Sequence, residues 1–172
     1  NVAVGYLAGE NVTTGLNNTL IGSLSGDALT SGNSNVAVGK DALGGDTTGG
    51  GSVAVGKDSL KVQNNTTSTT MYNVAVGLEA GAAVTTGIQN TLIGGLAGDV
   101  LTDADYNVAL GVSALGADTL GSQSTAIGYS ALTNQNFTTA TNSLNTAVGY
   151  QAGAAVTTGV GNTLLGGLAG DA

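Results

Sequence analysis

The chain has 172 residues, with 11 acidic residues against three lysines and no histidine, which gives a formal net charge of −8 at pH 7. This charge excludes proteins that hold nucleic acid or an anionic membrane through a basic patch. Without cysteine or histidine, the chain has no disulfide framework and no catalytic dyad built on either residue. No apolar run approaches the ~18 residues of a membrane span.

A short phrase recurs ten times along the chain. It reads Asn or Ser, Val or Thr, Ala or Leu, an aliphatic residue and then Gly, and successive copies are spaced by 17, 17, 17 and 21 residues before the cycle restarts. A fixed period this short predicts a solenoid, in which each unit buries its apolar face only against its neighbours. We call each unit a coil, number its positions from the Asn or Ser, and name the four coil types a, b, c and d.

The cycle of four coils defines a larger block of 72 residues. The chain holds two blocks, 1–72 and 73–144, and a partial third, 145–172. We therefore expect an all-β fold, a parallel β-solenoid of ten coils that forms a single array over 1–172. Because the chain begins at the start of a coil without an initiator Met and ends eleven residues into another coil, we expect it to be a fragment of a longer fibre.

The phrase predicts one short strand in each coil. Position 4 is always Val, Ile or Leu and position 2 is always Val or Thr, so these two positions share one face of the strand. We expect this face to fill the coil. Position 3 is Ala or Leu and faces the other way, where a strand that is apolar on both faces needs a second partner. The predicted structural core is the position-4 column: Val4, Ile21, Val38, Val55, Val76, Ile93, Leu110, Ile127, Val148 and Leu165.

The rest of the coil is marked by glycine and small residues. Gly at position 5 and Ala or Ser at position 8 bracket the bend out of the strand, and segments such as Val-Thr-Thr at 12–14 predict a second strand. Positions 9 and 12 are complementary, since Gly9 occurs with Val12 whereas Leu43 occurs with Asp46. Packed interiors tolerate little excess or void, so we predict that the two positions compete for one interior volume.

Position 1 predicts a polar column. If coils stack in register, its side chains lie about 4.8 Å apart, and stacked amides can hydrogen-bond along the ladder. The alternative, that Asn merely suits the turn before the strand, explains the pattern equally well. The predicted Asn/Ser ladder is Asn1, Asn18, Asn35, Ser52, Asn73, Asn90, Asn107, Ser124, Asn145 and Asn162.

The d coils carry four additional residues within polar, Thr-rich segments. Insertions at a fixed phase map to loops on one face, often the binding face, and a plain wider turn is the alternative. The candidate surface-loop residues are Asn64, Asn65, Thr66, Asn136, Phe137 and Thr138. At about 4.8 Å per coil, ten coils predict a rod roughly 48 Å long.

Four copies of the phrase carry a resemblance to known fibrous proteins. Asn-Val-Ala-Val-Gly-x-x-Ala at 35–42, Ser-Val-Ala-Val-Gly-x-x-Ser at 52–59 and Ser-Thr-Ala-Ile-Gly-x-x-Ala at 124–131 resemble the head repeat of trimeric autotransporter adhesins, the YadA-like head. Asn-Thr-Ala-Val-Gly-Tyr-Gln-Ala at 145–152 is similar to repeats in phage tail fibres. The resemblance implies a left-handed β-roll, three chains packed side by side, and an extracellular, cell-surface or virion location. The coils here are longer than is usual in the adhesin family.

Enzymatic function is disfavoured, and no catalytic, cofactor-binding or metal-binding residue is predicted. Nucleophile–base catalysis needs a base near a nucleophile. The Lys-Asp pairs at 40–41 and 57–58 recur at equivalent positions, as surface pairs encoded by the repeat would. A left-handed β-helix transferase is the enzyme alternative, and its turn pattern fits only one third of each coil.

Calcium and ice are the two ligand alternatives. Gly-Asp recurs at 26–27, 98–99 and 170–171, with Asp103 and Asp105 near the second copy. Calcium takes about six to eight oxygen ligands, so one carboxylate per block favours a solvated turn over a metal site. Ice binding would use flat ranks of Thr, which Asp103 and the d-coil loops interrupt. The aligned Thr pairs are 13–14, 47–48, 85–86 and 157–158.

These observations predict a non-enzymatic structural shaft of a phage tail-fibre or cell-surface adhesin type. The expected partners are further copies of the chain, in a homotrimer or an end-to-end fibre, and a host-surface glycan or receptor. Nucleic acid and a membrane span are not expected. The alternatives are a self-assembling extracellular filament subunit and an ice-binding solenoid.

Overall fold

The computed structural model describes residues 1–67 and 69–171, and it confirms an all-β parallel solenoid. Ten strands, one from each coil, form a single parallel sheet, and β8 pairs with β10 in a separate two-stranded sheet. Within the described ranges, no helix is long and apolar enough to cross a membrane. The strands are β1 Val2–Val4, β2 Thr19–Ile21, β3 Val36–Val38, β4 Val53–Val55, β5 Val74–Val76, β6 Thr91–Ile93, β7 Val108–Leu110, β8 Gly121–Ser122, β9 Thr125–Ile127, β10 Thr141–Asn142, β11 Thr146–Val148 and β12 Thr163–Leu165.

Equivalent positions of successive coils lie side by side. Val4 pairs with Ile21 at the start of the array, and Val148 pairs with Leu165 at its end. The additional residues of the first d coil leave this register unchanged, since Val55 pairs with Val76. Each position of the phrase therefore forms a straight column along the axis.

The strand face that points into the coil is the opposite of the predicted one. Ala109 is 0% exposed whereas the neighbouring Leu110 is 43% exposed, so position 3 points into the coil and position 4 points out. The interior is a narrow column that accepts Ala at position 3, or Leu where position 9 is Gly. The predicted core column is thus an outward column, and none of its members is fully buried: Val4, Ile21, Val38, Val55, Val76, Ile93, Leu110, Ile127, Val148 and Leu165.

The core is one continuous apolar column along the axis, built from positions 3 and 8 and from either 9 or 12. The predicted competition between positions 9 and 12 is confirmed, and position 3 takes part in it. A Cβ added to Gly26 would lie 2.7 Å from Leu20 Cδ2 and 2.9 Å from Leu29 Cδ1. Positions 3, 9 and 12 therefore share one volume.

The predicted second strand at positions 12–14 is wrong. Thr13 and Thr14 lie in a bend, and both of their N–H groups donate to the Thr30 carbonyl oxygen, at 2.9 and 3.1 Å. Hydrogen bonds from coil to coil continue here although the backbone is not extended. The short pair of β8 with β10 and the bridge between Gly50 and Thr70 begin after this bend.

Candidate functional site

The outward face of the ten-stranded sheet is an apolar strip. Positions 2 and 4 present only Val, Thr, Ile and Leu in all ten coils, so the strip contains no charged residue. Beside it, the position-6 rings of Tyr129 and Tyr150 stack with centroids 5.5 Å apart and planes at 11°. The side chains at positions 2 and 4 are mostly half-buried, and the exposed ones include Val4, Leu110 and Leu165. A contiguous apolar surface that is partly open to solvent is typical of an interaction site.

The Asn column at position 1 joins each coil to itself and to the next. Asn35 Nδ2 donates to the Gly49 carbonyl oxygen of the same coil at 2.9 Å, and Asn35 Oδ1 accepts from the Ser52 N–H of the next coil at 2.9 Å. Some Asn side chains of the column also hydrogen-bond to each other. For example, Asn107 Nδ2 donates to Asn90 Oδ1 at 3.2 Å. The side chains thus span their own coil and link it to the neighbouring coils, as the ladder alternative predicts.

The column is buried along most of the array. Its ends are the exception, since Asn1 is exposed and Asn162 is half-buried. The buried members are Asn18, Asn35, Ser52, Asn73, Asn90, Asn107, Ser124 and Asn145. Because the intervening side chains are shielded from water, their hydrogen bonds hold the coils together with little competition from solvent.

A buried glutamine completes the ladder where position 1 is Ser. Gln63 Nε2 donates to Asp46 Oδ2 at 2.6 Å and to Ser52 Oγ at 3.0 Å. Gln63 Oε1 accepts from Asn73 Nδ2 at 2.9 Å. All four side chains are 0% exposed, so Gln63 supplies the buried amide that Ser52 lacks.

The carboxylate of this cluster has a perturbed pKa. Burial raises the pKa of Asp46, and the hydrogen bonds from Gln63 and from the Gly49 N–H partly oppose the rise. The Gly49 N–H donates to Asp46 Oδ1 at 2.9 Å. The carboxylate therefore accepts hydrogen bonds at both oxygens inside the core.

The second block repeats the cluster. Gln135 Nε2 donates to Asp118 Oδ2 at 2.5 Å and to Ser124 Oγ at 2.8 Å, and Asn145 Nδ2 donates to Gln135 Oε1 at 2.8 Å. Sequence reasoning missed both clusters. The signal was present, because position 12 is Asp or Gln in c and d coils and aliphatic in a and b coils.

A Thr column at position 13 forms another intercoil ladder. Thr13 Oγ1 donates to the Thr30 carbonyl oxygen at 3.1 Å, and Thr30 Oγ1 donates to that of Thr47 at 3.0 Å. In the second block, Thr102 Oγ1 donates to the Thr119 carbonyl oxygen at 3.0 Å. These hydroxyl protons bond within the protein rather than to an external surface, so the geometry adds no support for ice binding.

The insertion residues do not all lie on the surface. Thr66, Asn136 and Thr138 are exposed, whereas Asn64 and Asn65 are half-buried. Thus only part of the predicted loop surface is accessible.

Phe137 is only 6% exposed, so its prediction as a surface-loop residue is wrong. Its N–H donates to Asp118 Oδ1 at 3.0 Å, which draws this backbone over the c coil. The apolar ring is thereby removed from water instead of being presented to a partner.

A shallow groove of about 330 Å³ lies beside the first insertion. Gly50 and Gly51 line it together with Tyr72, whose side chain is 60% exposed. Hydroxyl groups from Ser34 and Thr70 also line the groove. The groove therefore combines an accessible aromatic ring with polar groups.

The three lysines of the chain are paired with aspartates. Lys57 Nζ lies 2.8 Å from Asp58 Oδ2 and Lys61 Nζ lies 2.9 Å from Asp58 Oδ1. Their hydrogen bonds hold the pKa of Asp58 below its ordinary value. Lys40 pairs with Asp41. Exposed lysine pairs of this kind contribute little to stability.

Acidic side chains near the b coils serve contacts between coils. Thr86 Oγ1 donates to Asp103 Oδ1 at 2.5 Å, and the Ile88 N–H donates to Asp105 Oδ1 at 2.8 Å. Over residues 1–67 and 69–171, no group of three or more His, Cys, Asp or Glu side chains is placed to hold a metal ion. Asp103 and Asp105, two of the carboxylates considered for calcium, thus accept hydrogen bonds from the preceding coil.

No protein-family model, curated protein or solved structure matches the chain. The resemblance to adhesin-head and tail-fibre repeats therefore rests on the recurring phrase alone.

Proposed function

We propose that the chain is a length of rigid, non-enzymatic shaft in an extracellular fibre, of the phage tail-fibre or cell-surface adhesin type. The observation that supports this role is the single parallel sheet, with ten strands in register. The Asn and Thr ladders add side-chain hydrogen bonds in the same direction. Bending or stretching the array would strain many of these bonds at once, so it is suited to holding a distal element away from a surface.

The shaft is proposed to be three chains wide, joined through the apolar strips. Position 4 in every coil and position 2 in five coils carry aliphatic side chains that are half-buried or exposed, and a neighbouring copy would remove them from water. Each chain carries a net charge of −8, which opposes association, but the strip itself is uncharged. The proposed number of chains, three, is taken from the resemblance to the heads of trimeric autotransporter adhesins. A host-surface glycan or receptor is proposed as the external partner.

The proposed shaft is tested by light scattering and small-angle X-ray scattering on the purified chain. We expect a mass three times the chain mass of 16.4 kDa and a rod length of roughly 48 Å. A monomer at micromolar concentration would contradict the trimer. A scattering profile that does not fit ten coils stacked in register along one axis would contradict the shaft itself.

The biological setting is tested by immunogold microscopy with antibodies raised against the purified chain. Labelling at a constant distance from a cell or virion surface would support a shaft that spaces a tip. Labelling confined to the cell interior would contradict the proposed location.

An end-to-end filament is the second candidate. Within this segment, β1 pairs only with β2 and β12 only with β11, so each outer strand has an open hydrogen-bonding edge. Such edges can pair with another parallel strand. Long fibres growing from the pure segment in electron micrographs would favour this candidate, and particles of constant length would oppose it.

A further inference from the structure

The groove beside the first insertion is lined by two neighbouring residues that lack side chains, Gly50 and Gly51. Gly51 has a φ of 73°, and a Cβ added there would lie 2.8 Å from Thr70 Cγ2 and 3.5 Å from Tyr72 Cδ1. Gly50 precedes it and lines the same groove. The ring of Tyr72 therefore lies beside bare backbone, with 60% of the residue exposed.

The other groups that line the groove are neutral and polar. Ser34 and Thr70 are exposed and carry hydroxyl groups. Asn33 Oδ1 accepts a hydrogen bond from the Leu16 N–H at 2.8 Å, so its amide hydrogens are what Asn33 can offer a ligand. Among the lining residues in the described part of the chain, none is charged.

We propose that this groove binds one unit of a neutral saccharide. The ring of Tyr72 stacks on the apolar face of the sugar, and Asn33, Ser34 and Thr70 hydrogen-bond to its hydroxyl groups. An aromatic face is electron-rich and attracts the polarised C–H groups of a sugar ring, while a few fixed polar groups set its orientation. The cavity of about 330 Å³ is at the small end of the range for ligand sites, as a single sugar unit requires.

Other ligand classes fit the groove less well. An anion would meet no cationic side chain among the described lining residues and would approach a protein of net charge −8. An apolar ligand would cover the hydroxyl groups of Ser34 and Thr70 without bonding to them, which costs free energy. A neutral polyhydroxyl ligand avoids both penalties.

The second block shows that the repeat itself does not require the residues that form this groove. The positions equivalent to Gly51 and Tyr72 hold Gln123 and Leu144. Ser122 replaces Gly50, and its Oγ accepts a hydrogen bond from the Asp105 N–H at 2.9 Å. The second block therefore stacks without these two glycines and this tyrosine. Their presence in the first block is not needed to build the array.

The saccharide site deepens the proposed adhesive role, and it rests on that role only for the source of the sugar, a host-surface glycan. A single shallow site binds weakly, with a dissociation constant on the order of 1 mM for a ligand of about a dozen heavy atoms. Repetition of the site in each copy of a fibre would convert weak contacts into stable attachment by avidity.

The test is a titration of the ¹⁵N-labelled protein with the methyl glycosides of glucose, galactose, mannose and N-acetylglucosamine, followed by NMR. We expect at least one glycoside to shift the amide signals of Gly50 and Gly51 with millimolar affinity. Tyr72→Leu, which copies the second block, should weaken binding about tenfold, and Tyr72→Phe should retain it, because stacking needs the ring and not the hydroxyl. Gly51→Gln should block the groove.

The backbone accepts Gly51→Gln because Gln123 holds the equivalent position with a φ of 62°, and the exposed Thr70 side chain has to rotate to accommodate the added Cβ. Shifts centred on the exposed rings of Tyr129 and Tyr150 would show nonspecific stacking and would overturn the proposal. The absence of shifts with all four glycosides, or binding that Tyr72→Leu leaves unchanged, would also overturn it. Because the titration does not depend on the number of chains, its failure is distinguishable from failure of the trimeric shaft.

Discussion

At the scale of single residues, the glycine that ends each strand sets how closely the coils stack. Gly94 has a φ of 134°, and a Cβ added there would lie 2.5 Å from the Gly111 carbonyl oxygen and 2.6 Å from its carbon. The neighbour is backbone and cannot rotate away. The close approach of two coils therefore explains why position 5 of the phrase is always Gly. The sequence alone shows the repeated glycine but not this contact.

Gly94→Ala is expected to lower the free energy of unfolding by about 3 kcal/mol or more, because it combines backbone strain with a clash against backbone. Gly166→Ala is the matched control. Gly166 also has a positive φ, of 119°, but nothing lies within 4 Å of its added Cβ, so only strain of about 1–2 kcal/mol is expected. Urea unfolding followed by circular dichroism measures both values. Equal losses would refute the role of coil contact.

Asp46 gives the array a pH-dependent stability. Burial raises its pKa above the ordinary value of 3.8, so the folded state binds the proton more tightly than the unfolded chain. Its contribution to folding is therefore favourable at low pH and is lost as pH rises from the unfolded pKa through the raised folded pKa. The loss is about 1.4 kcal/mol for each unit by which the pKa is raised.

Asp46→Asn is expected to remove this contribution while keeping the shape of the side chain. Measured as the difference from the parent protein, the free energy of unfolding of the variant should increase as pH rises past the unfolded pKa of 3.8, and should level off above the raised folded pKa. Thermal unfolding at a series of pH values provides the measurement. A difference that is constant with pH would show that Asp46 does not titrate in this way.

At the scale of the coil, three positions form one packing unit. The triplet at positions 3, 9 and 12 is Ala-Gly-Val in a coils, Leu-Gly-Leu in b coils, Ala-Leu-Asp in c coils and Ala-Leu-Gln in d coils. Leu43 adopts a φ of 53° at position 9, close to the 55° of Gly26. The backbone therefore accepts Leu at position 9, and the surrounding volume decides where Leu occurs.

This packing predicts strong coupling between Leu20 and Gly26. Gly26→Leu alone should cost about 1–3 kcal/mol by overpacking, and Leu20→Ala alone about 2–5 kcal/mol by leaving a cavity. The double variant recreates the Ala-Leu pair of a c coil, so its loss should be smaller than the sum by at least about 1 kcal/mol. Denaturant unfolding of the four proteins gives the coupling energy. Additive losses would contradict a shared volume.

At the scale of the whole molecule, the apolar strip is the surface through which copies of the chain are proposed to meet. Lysine in place of Val55 and Val76, which are paired in the sheet, would place two charges on the strip. If copies associate there, burial of these charges should reduce the particle to a single chain with unchanged circular dichroism. Thr138→Lys, on the exposed second insertion, should leave the mass unchanged. Light scattering distinguishes the outcomes, and a lysine double variant that keeps the parent mass would exclude the strip as the contact.

The sequence by itself determined the solenoid, the place of the ten strands of the main sheet and the columns that run along the axis, because a strict period with Gly at position 5 favours stacked, equivalent coils. Only the tertiary structure decided which strand face is inside. Ala109 and Leu110 are both apolar, so alternation alone gives no direction, and the narrow interior selects the smaller residue. The buried contact of Asp46 with Gln63 likewise required the fold, since these residues are 17 positions apart and meet only when consecutive coils stack.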